Sequence, residues 1–211
     1  LYINEGADKN GIPTFTEQAK AYGLDDSAAT TQAAFLDYDL DGDLDVYVLN
    51  HPVNEFGYDF GKMNRIKYNP PVPYNESSDR LYRNNGDNTF TDVTVAAGVS
   101  NWAYGLGVGI GDLNQDSWPD IYITNDYEIE NFYYINNQDG TFTQSIQSYM
   151  GHISFYAMGV DIGDINNDAL LDIYESEMLP ESYSRNKRNM QAMNVPRFNY
   201  FLESGFHRAY M

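Results

Sequence analysis

Residues 37–45 read Asp37-Tyr38-Asp39-Leu40-Asp41-Gly42-Asp43-Leu44-Asp45, with an aspartate at every odd position and a glycine at position 6. Two further stretches repeat the oxygen-bearing positions of this skeleton, Asp112-x-Asn114-x-Asp116-x-x-x-Asp120 and Asp164-x-Asn166-x-Asp168-x-x-x-Asp172. We refer to them as loop 1 (37–45), loop 2 (112–120) and loop 3 (164–172). Three acidic loops of one design indicate an internal repeat, which decides the fold class.

A hairpin signal precedes each acidic loop at a fixed distance. Residues 81–91 and 133–143 each place two short aromatic or β-branched runs around an Asn/Asp/Gly turn, and residues 1–16 form a third copy with a longer turn. In each hairpin a phenylalanine lies 22 residues before the first aspartate of the next acidic loop. These phenylalanines are Phe15, Phe90 and Phe142.

The repeat unit predicts an all-β fold. An apolar run with Gly or Ala precedes each acidic loop and a β-rich run follows it, so the unit is strand A, acidic loop, strand B, strand C, turn and strand D. Four short antiparallel strands per repeat are typical of a β-propeller blade. The chain then holds strands C and D of one blade, two whole blades and strands A and B of a fourth. This is a partial propeller of about three blade-equivalents.

Two insertions interrupt the repeat. The sequence predicts propeller blades over residues 1–177, with residues 51–78 inserted in one B–C connection. No clear strand C follows Asp172, so residues 178–211 are predicted to be a second B–C insertion that leads toward a further blade. Because alternate connections of an up-and-down meander lie on opposite faces, both insertions are predicted on the face opposite the acidic loops.

The charge of the chain limits its partners. The chain has 211 residues, no cysteine and a net charge of -19. The two insertions are neutral or basic, so the acidity belongs to the repeated part. This charge argues against nucleic acid or an anionic membrane as a partner. No apolar run is long enough to predict a transmembrane segment.

The acidic loops have the ligand chemistry of a hard divalent cation. Each pair of like charges at ~4 Å costs about 4 kcal/mol at an effective dielectric near 20, whereas Ca²⁺ coordinates several oxygens in a flexible geometry. Mg²⁺ fits less well because it demands near-ideal octahedral geometry. The sequence therefore predicts three Ca²⁺ sites, with side-chain ligands at positions 1, 3, 5 and 9 and a main-chain carbonyl at position 7. The predicted ligands are Asp37, Asp39, Asp41, Asp43 and Asp45 in loop 1; Asp112, Asn114, Asp116, Trp118 and Asp120 in loop 2; and Asp164, Asn166, Asp168, Leu170 and Asp172 in loop 3.

Loop 1 is expected to bind the cation most tightly, because it has four ligand carboxylates against three and a glycine at position 6. At that position Ser117 and Ala169 would adopt a left-handed conformation at a cost of about 1–2 kcal/mol. Solvated acidic turns are the simplest alternative, but three copies at matched spacing weigh against them. An EF-hand requires a glutamate at position 12, where loops 1 and 2 have Val48 and Ile123 and only loop 3 has Glu175. The predicted flanks are also strands, not helices.

With these loops, the Leu-Tyr-x-Asn…Thr-Phe-Thr hairpins and the stretch at 95–99, the chain resembles the FG-GAP/VCBS repeat family, the integrin-α-type β-propeller. The resemblance covers most of the chain and implies a propeller with calcium in the A–B loops. The chain is also similar to large secreted or surface-anchored members from Gram-negative bacteria. It departs from the family pattern at position 6 of loops 2 and 3, where Ser117 and Ala169 replace glycine.

Catalysis finds little support in the sequence. His51, His152 and His207 fall in unrelated places, and no nucleophile motif, Walker loop or dinucleotide fingerprint occurs. Some carbohydrate lyases are built on calcium propellers. The alternative is therefore the propeller part of a polysaccharide-active enzyme whose catalytic residues lie outside this segment.

The favoured expectation is a calcium-stabilised, non-enzymatic binding or scaffold module. Both insertions are rich in aromatic and basic residues, which are enriched at interfaces, so they are expected either to contact a protein or glycan partner or to cap the ring. Trp102 and Tyr104 are predicted on the same face, more as packing between blades than as a sugar platform. Calcium sites of extracellular modules have dissociation constants of ~10⁻⁴–10⁻³ M and stay empty in the cytosol. The sequence therefore favours an extracellular, cell-surface or periplasmic setting, within a larger surface assembly.

Overall fold

The repeated part of the chain forms antiparallel sheets that follow one another in chain order. The computed structural model describes residues 1–52, 78–126, 129–154, 156–178, 203 and 209–210. The predicted insertions at 51–78 and 178–211 lie almost wholly outside these described residues. The structure therefore bears on the strands and acidic loops and leaves both insertions as predictions.

Two complete four-stranded sheets are flanked by two hairpins. The N-terminal hairpin pairs β1 (Tyr2–Ala7) with β2 (Pro13–Glu17), and the short helix α1 (Ala19–Tyr22) follows it. Sheet 1 has the order β3 (Thr30–Leu36), β4 (Asp45–Asn50), β5 (Arg80–Asn84) and β6 (Phe90–Asp92). Sheet 2 has the order β7 (Gly105–Gly111), β8 (Asp120–Asn125), β9 (Phe132–Asn136) and β10 (Phe142–Gln144).

The chain continues from sheet 2 into a second hairpin. A short helix, α2 (Ile146–Tyr149), precedes β11 (Ile153–Ser154), which pairs in parallel with β14 (Ala209–Tyr210). The C-terminal hairpin pairs β12 (Ala157–Gly163) with β13 (Asp172–Glu177). The all-β prediction and the predicted A-B-C-D strand order are confirmed in the described residues. None of the helices described there is long and apolar enough to span a membrane.

The two four-stranded sheets share one register. Val46 of β4 lies opposite Tyr82 of β5, and Ile121 of β8 lies opposite Tyr134 of β9. In both sheets the last aspartate of the acidic loop is the first residue of the second strand. The strands β4, β8 and β9 are almost wholly buried, because their β-branched and aromatic side chains pack on both faces, and β5 is buried over its first three residues. Loops 1 and 2 therefore project from the strand ends of well-packed sheets.

Two hydrophobic cores lie between successive sheets. The larger core joins sheets 1 and 2 and includes Tyr47, Leu81 and Ile121, none of which is exposed. The smaller core joins sheet 2 to the C-terminal hairpin through Tyr122 and Tyr133 on one side and Val160, Ile162 and Ile173 on the other. Sheet 1 thus packs face to face on sheet 2, and sheet 2 packs on the C-terminal hairpin.

The first strands of the sheets approach one another closely. A Cβ atom on Gly107 of β7 would lie 2.8 Å from the Cα of Gly159 in β12, so this approach requires glycine. On the other side of β7, Thr31 Oγ1 donates to the carbonyl oxygen of Gly105 at 2.9 Å, and the Val108 amide donates to Gln32 Oε1 at 3.0 Å. The strands β3, β7 and β12 therefore lie side by side, with β7 in the middle.

Candidate metal centre

The three acidic loops share one backbone conformation. At position 6 the backbone is left-handed in all three loops, with φ of 94° at Gly42, 72° at Ser117 and 67° at Ala169, which confirms the sequence-based expectation. The backbone at position 4 is left-handed as well, which the residue types at this position do not predict. The residues at position 4 are Leu40, Gln115 and Asn167. Four of the six left-handed residues are neither glycine nor asparagine, so the loops hold a strained conformation in common.

Matching hydrogen bonds close each loop. The amide at position 6 donates to Oδ2 of the position 1 aspartate, at 3.1 Å in loop 1, 2.8 Å in loop 2 and 2.9 Å in loop 3. The amide at position 2 donates to Oδ2 of the position 9 aspartate, at 3.1, 3.3 and 3.0 Å respectively. The first and last aspartates of each loop are thereby turned toward the loop interior.

Loop 1 differs from the other two at position 5. In loop 2 the Asp116 amide donates to Asp112 Oδ1 at 2.9 Å and to Asn114 Oδ1 at 3.0 Å, and the Asp168 amide makes the same two bonds in loop 3. In loop 1 the corresponding oxygens, Asp37 Oδ1 and Asp39 Oδ1, are buried and have no hydrogen-bond partner. Buried acceptors without a partner are rare in native proteins.

The unpartnered oxygens belong to a convergent cluster. Asp37, Asp39 and Asp45 each place a carboxylate oxygen within 4.8 Å of the others, and no second such acidic or histidine cluster occurs in the part of the chain that the structure describes. Burial raises the pKa of Asp45 to about 6. Burial and the nearby charge of Asp41 also raise the pKa of Asp39. Three crowded, partly desolvated carboxylates with two unused oxygens fit a hard cation such as Ca²⁺.

Asp41 and Asp43 complete the predicted ligand set of loop 1 on its outer side. Asp41 Oδ1 accepts the Asp43 amide at 2.9 Å, the bond that positions 5 and 7 also make in the other loops. The structure does not bring the Asp41 carboxylate into the cluster of Asp37, Asp39 and Asp45. Ligation by Asp41 and by the Asp43 carbonyl stays a prediction.

Loops 2 and 3 hold their oxygens in internal hydrogen bonds. Asn114 Nδ2 and Gln138 Nε2 both donate to Asp116 Oδ2, at 3.0 and 3.1 Å. Burial acts to raise the pKa of Asp116, but the hydrogen bonds from the Trp118 amide and from these two side chains outweigh it and lower that pKa. Burial raises the pKa of Asp120. Loop 3 repeats the bond between the position 3 amide group and position 5 at 3.0 Å. Calcium ligation by loops 2 and 3, including the Trp118 and Leu170 carbonyls, stays a prediction.

The position 9 aspartates connect the loops to the third strands. Asp45 Oδ1 accepts the Asn84 amide of β5 at 2.8 Å, and Asp120 Oδ1 accepts the Asn136 amide of β9 at 3.0 Å. The side chains of these asparagines donate back to loop carbonyls, Asn84 to Leu44 and Asn136 to Pro119. Sequence reasoning assigned no role to Asn84 or Asn136. The signal was present in the hairpin motif, which repeats an asparagine at the same position.

The aromatic residues at the other end of the sheets are buried. Trp102 is 5% exposed and Tyr104 is 8% exposed, so they pack in the core and present no sugar platform. Their rings meet edge to face at 5.4 Å, and His51 meets Tyr104 at 5.2 Å. Burial lowers the pKa of His51, which favours its neutral form. The sequence-based preference for packing at Trp102 and Tyr104 is confirmed.

Comparison with known proteins identifies the repeat to which two of the acidic loops belong. A family model described as an FG-GAP-like repeat matches residues 72–123 and 112–175, which include loops 2 and 3. Cartilage acidic protein 1 from Homo sapiens and from Mus musculus are each 30% identical to the chain over 154 residues, which is 72% of this chain. The chain spans 21% and 22% of the length of these relatives. Loop 1 lies outside the residues matched by the family model, yet it has the same backbone turns and closing bonds as loops 2 and 3. By its repeats, the chain belongs to the FG-GAP-like repeat family.

Proposed function

We propose that this chain is part of a calcium-stabilised, extracellular β-propeller that acts as a non-enzymatic binding or scaffold module. One observation carries the calcium assignment: the buried, unpartnered oxygens of Asp37 and Asp39 converge with a carboxylate oxygen of Asp45. Leaving two buried carboxylate oxygens unpaired costs several kcal/mol in total, because each loses its hydration. A bound cation would supply the missing partner.

Asp45 explains how the cation would act on the fold. Its Oδ1 accepts the Asn84 amide of β5 and its Oδ2 accepts the Tyr38 amide, so one carboxylate joins loop 1 to the third strand. When bound, Ca²⁺ supplies positive charge and coordination sites among Asp37, Asp39 and Asp45. The carboxylates would then hold the ends of β3, β4 and β5 together without mutual repulsion.

The packing of the sheets supports the propeller. Four-stranded antiparallel sheets stack face to face, and their first strands β3, β7 and β12 lie side by side. In a propeller the first strands of the blades line the central axis in this manner. The N-terminal hairpin corresponds to strands C and D of a blade, and the C-terminal hairpin corresponds to strands A and B. We extend this correspondence to residues 1–177 as blades and to residues 178–211 as the connection to a further blade.

The extracellular assignment rests on the calcium chemistry and on the relatives. The curated relatives are named for cartilage and for acidity, and this chain has a net charge of -19. A partner, protein or glycan, would contact the face opposite the acidic loops, where the first insertion leaves β4 and rejoins β5. Protein binding is the commoner use of such repeats, and the assembly would be a larger surface structure.

Isothermal titration calorimetry tests the calcium assignment. We expect Ca²⁺ to bind with a dissociation constant of ~10⁻⁴ M or tighter at the strongest site, and Mg²⁺ to bind more weakly. The double substitution Asp37→Asn with Asp39→Asn should remove the strongest site, whereas Asp164→Asn with Asp168→Asn removes the same charge from loop 3 and should leave it. Equal affinity in both double variants, or no heat of binding in the wild type, would contradict the proposal.

The proposed binding face has a separate test. A glycan array probed with the chain in millimolar Ca²⁺, together with a variant that lacks residues 53–77, compares binding with and without the first insertion. A glycan partner on this face predicts that the deletion abolishes array binding while loop 1 still takes up Ca²⁺, whereas a protein partner predicts no array binding by either form. Unchanged array binding by the deletion variant would move the partner site away from this insertion.

A further inference from the structure

Asn136 contacts two acidic loops at once. It lies at the end of β9 in sheet 2, and its side chain is 2% exposed. Its backbone amide donates to Asp120 Oδ1, a predicted ligand of loop 2, at 3.0 Å. Its side-chain Nδ2 donates at 2.8 Å to the carbonyl oxygen of Tyr38 in loop 1, 98 residues away in sequence. A single buried side chain thus bridges the acidic loops of two neighbouring sheets.

Tyr38 carries the connection into the convergent cluster of loop 1. Its amide donates to Asp45 Oδ2 at 3.1 Å, and its ring is buried against Phe142 of sheet 2, with ring centroids 6.0 Å apart. The path from one predicted cation site to the next therefore consists of Asp45, the Tyr38 backbone, Asn136 and Asp120. Every link is a hydrogen bond of 3.1 Å or less.

Asn84 shows which part of this arrangement is specific. It is the equivalent residue of sheet 1, and its amide and side chain make the same bonds within its own sheet, to Asp45 Oδ1 and to the Leu44 carbonyl. The bond from Asn136 to Tyr38 comes in addition to these. Asn84 is therefore a natural control, since its bonds in the described part of the chain stay within sheet 1 and support its own loop.

We propose that Asn136 couples cation binding at loop 1 to cation binding at loop 2, so that filling loop 1 tightens loop 2. The proposal rests on the proposed calcium function. A cation that fixes Asp45 also fixes the Tyr38 carbonyl, and this orders Asn136 and the Asp120 carboxylate before loop 2 binds. Coupling between binding sites is reciprocal and typically amounts to about fivefold or more in affinity.

Trp118 lies in loop 2 and provides a signal that is strongest for a cation in that loop. The chain has two tryptophans, and the other one, Trp102, is buried in the core next to Tyr104. Tb³⁺ replaces Ca²⁺ at oxygen sites and emits when a nearby excited tryptophan transfers energy to it. Titration with Tb³⁺ alone, excited where only tryptophan absorbs, therefore follows loop 2, and the loop 2 variant Asp112→Asn with Asp116→Asn should abolish the emission.

The experiment removes two charges from loop 1 or two charges from loop 3 and compares the Tb³⁺ affinity of loop 2 in the two variants. Asp37→Asn with Asp39→Asn, which weakens loop 1, should lower the Tb³⁺ affinity of loop 2 about fivefold. Asp164→Asn with Asp168→Asn, which weakens loop 3, should leave that affinity unchanged. Asn136→Ala should abolish the effect of the loop 1 substitutions, and Asn84→Ala should preserve it. Asn136→Ser provides a second variant if the alanine variant does not fold.

The outcomes separate the coupling from the calcium function. Equal effects of the loop 1 and loop 3 substitutions, or an effect of loop 1 that persists in Asn136→Ala, would overturn the coupling while Tb³⁺ still binds. If no tryptophan-sensitised Tb³⁺ emission that Ca²⁺ competes away occurs in the wild type, loop 2 takes no cation and the coupling fails, whereas the calcium assignment of loop 1 is decided separately by the calorimetry. The comparison of the loop 1 and loop 3 variants uses intact Asn136 and does not depend on the alanine variant.

Discussion

At the scale of single residues, the difference between aspartate and asparagine at position 3 separates loop 1 from its two copies. Asn114 and Asn166 accept the position 5 amide through Oδ1 and donate to the position 5 carboxylate through Nδ2. Asp39 has no amide group to donate, and its Oδ1 is left without a partner. Without a cation, loop 1 therefore has more buried carboxylate oxygens that lack a hydrogen-bond partner than loops 2 and 3 have. These oxygens are available as cation ligands.

Asp39→Asn should lower the calcium affinity of loop 1 and raise the stability of the calcium-free protein. We expect the unfolding free energy in chelator to rise by about 1 kcal/mol, because an unpaired buried oxygen is removed and one negative charge leaves the cluster. Calcium affinity should fall, because a carboxylate ligand is lost. Urea unfolding with and without Ca²⁺ measures both effects. Asp161→Asn, which removes an exposed charge from β12, is the control, and an equal gain in that variant would contradict the explanation.

Asp79 is a second residue whose position only the fold explains. It is 2% exposed and accepts hydrogen bonds from the Asn50 amide at 2.8 Å, Tyr47 OH at 2.9 Å and Asn101 Nδ2 at 2.7 Å. Burial raises its pKa to about 6 even though these donors oppose the shift. In sheet 2 the equivalent acceptor is Asn131, whose Oδ1 receives the Asn125 amide at 2.9 Å.

The raised pKa of Asp79 gives a pH dependence with a definite sign. Because the folded pKa is about 6 and the unfolded value is near 3.9, the folded state holds this proton more tightly. Its contribution to stability is complete below about pH 4 and is lost as the pH rises through about 6, an effect of about 3 kcal/mol. Asp79→Asn removes this titration. The difference in unfolding free energy between wild type and variant should change by that amount, and a constant difference would refute it.

At the scale of elements, the acidic loops and the first strands do separate work. The position 9 aspartates connect each acidic loop to the third strand of the same sheet. The glycine-rich β7 packs between β3 and β12, and the lack of side chains at its glycines allows these strands to lie close to it. The loops therefore stabilise a sheet internally, whereas the first strands join one sheet to the next.

Gly107→Ala tests the packing of the first strands. The new Cβ would lie 2.8 Å from the Cα of Gly159 and 2.9 Å from the Val160 nitrogen, both backbone atoms that cannot move alone. We expect a loss of about 1–3 kcal/mol in unfolding free energy, as for other overpacked sites. Gly163→Ala in β12 is the matched control, since nothing lies within 4 Å of its Cβ position. Equal stability of the two variants in urea would contradict the close packing.

At the scale of the whole molecule, the main features are the net negative charge and the different numbers of strands in the sheets and the hairpins. The net charge of -19 opposes compaction, and three of the loops that carry it lie at the same ends of neighbouring sheets. Among the described residues, the N-terminal and C-terminal hairpins each pair two strands, whereas sheets 1 and 2 each pair four. Cations that bind the loops would offset this repulsion for the assembly as a whole.

Removal of calcium should therefore lower the melting temperature of the entire repeat unit. A site filled at 100 times its dissociation constant contributes about 2.7 kcal/mol, and weaker sites contribute less. We expect thermal melts in excess chelator to shift down by several degrees from those in millimolar Ca²⁺. The shift should shrink in the Asp37→Asn/Asp39→Asn variant. An identical melting temperature with and without chelator would rule out structural calcium.

Much of the fold follows from local patterns. The acidic loops, the hairpins with Phe90 and Phe142 and the fixed spacing between them predict the strand order of sheets 1 and 2. The left-handed turn at position 6 also follows from the skeleton, because it recurs even where Ser117 and Ala169 replace glycine. These features depend on residues close together in the chain, which is why the sequence reveals them.

The sequence by itself determined that the chain is an all-β repeat protein with three acidic loops that carry the donor set for a hard cation. Only the tertiary structure decided that Asp37 and Asp39 keep unpartnered oxygens, that burial raises the pKa of Asp79, and that Asn136 reaches loop 1. Burial and hydrogen bonding at these places depend on residues brought together from distant parts of the chain. A carboxylate's partners and solvation are properties of that packing, whereas a loop's ligand spacing is a property of the chain.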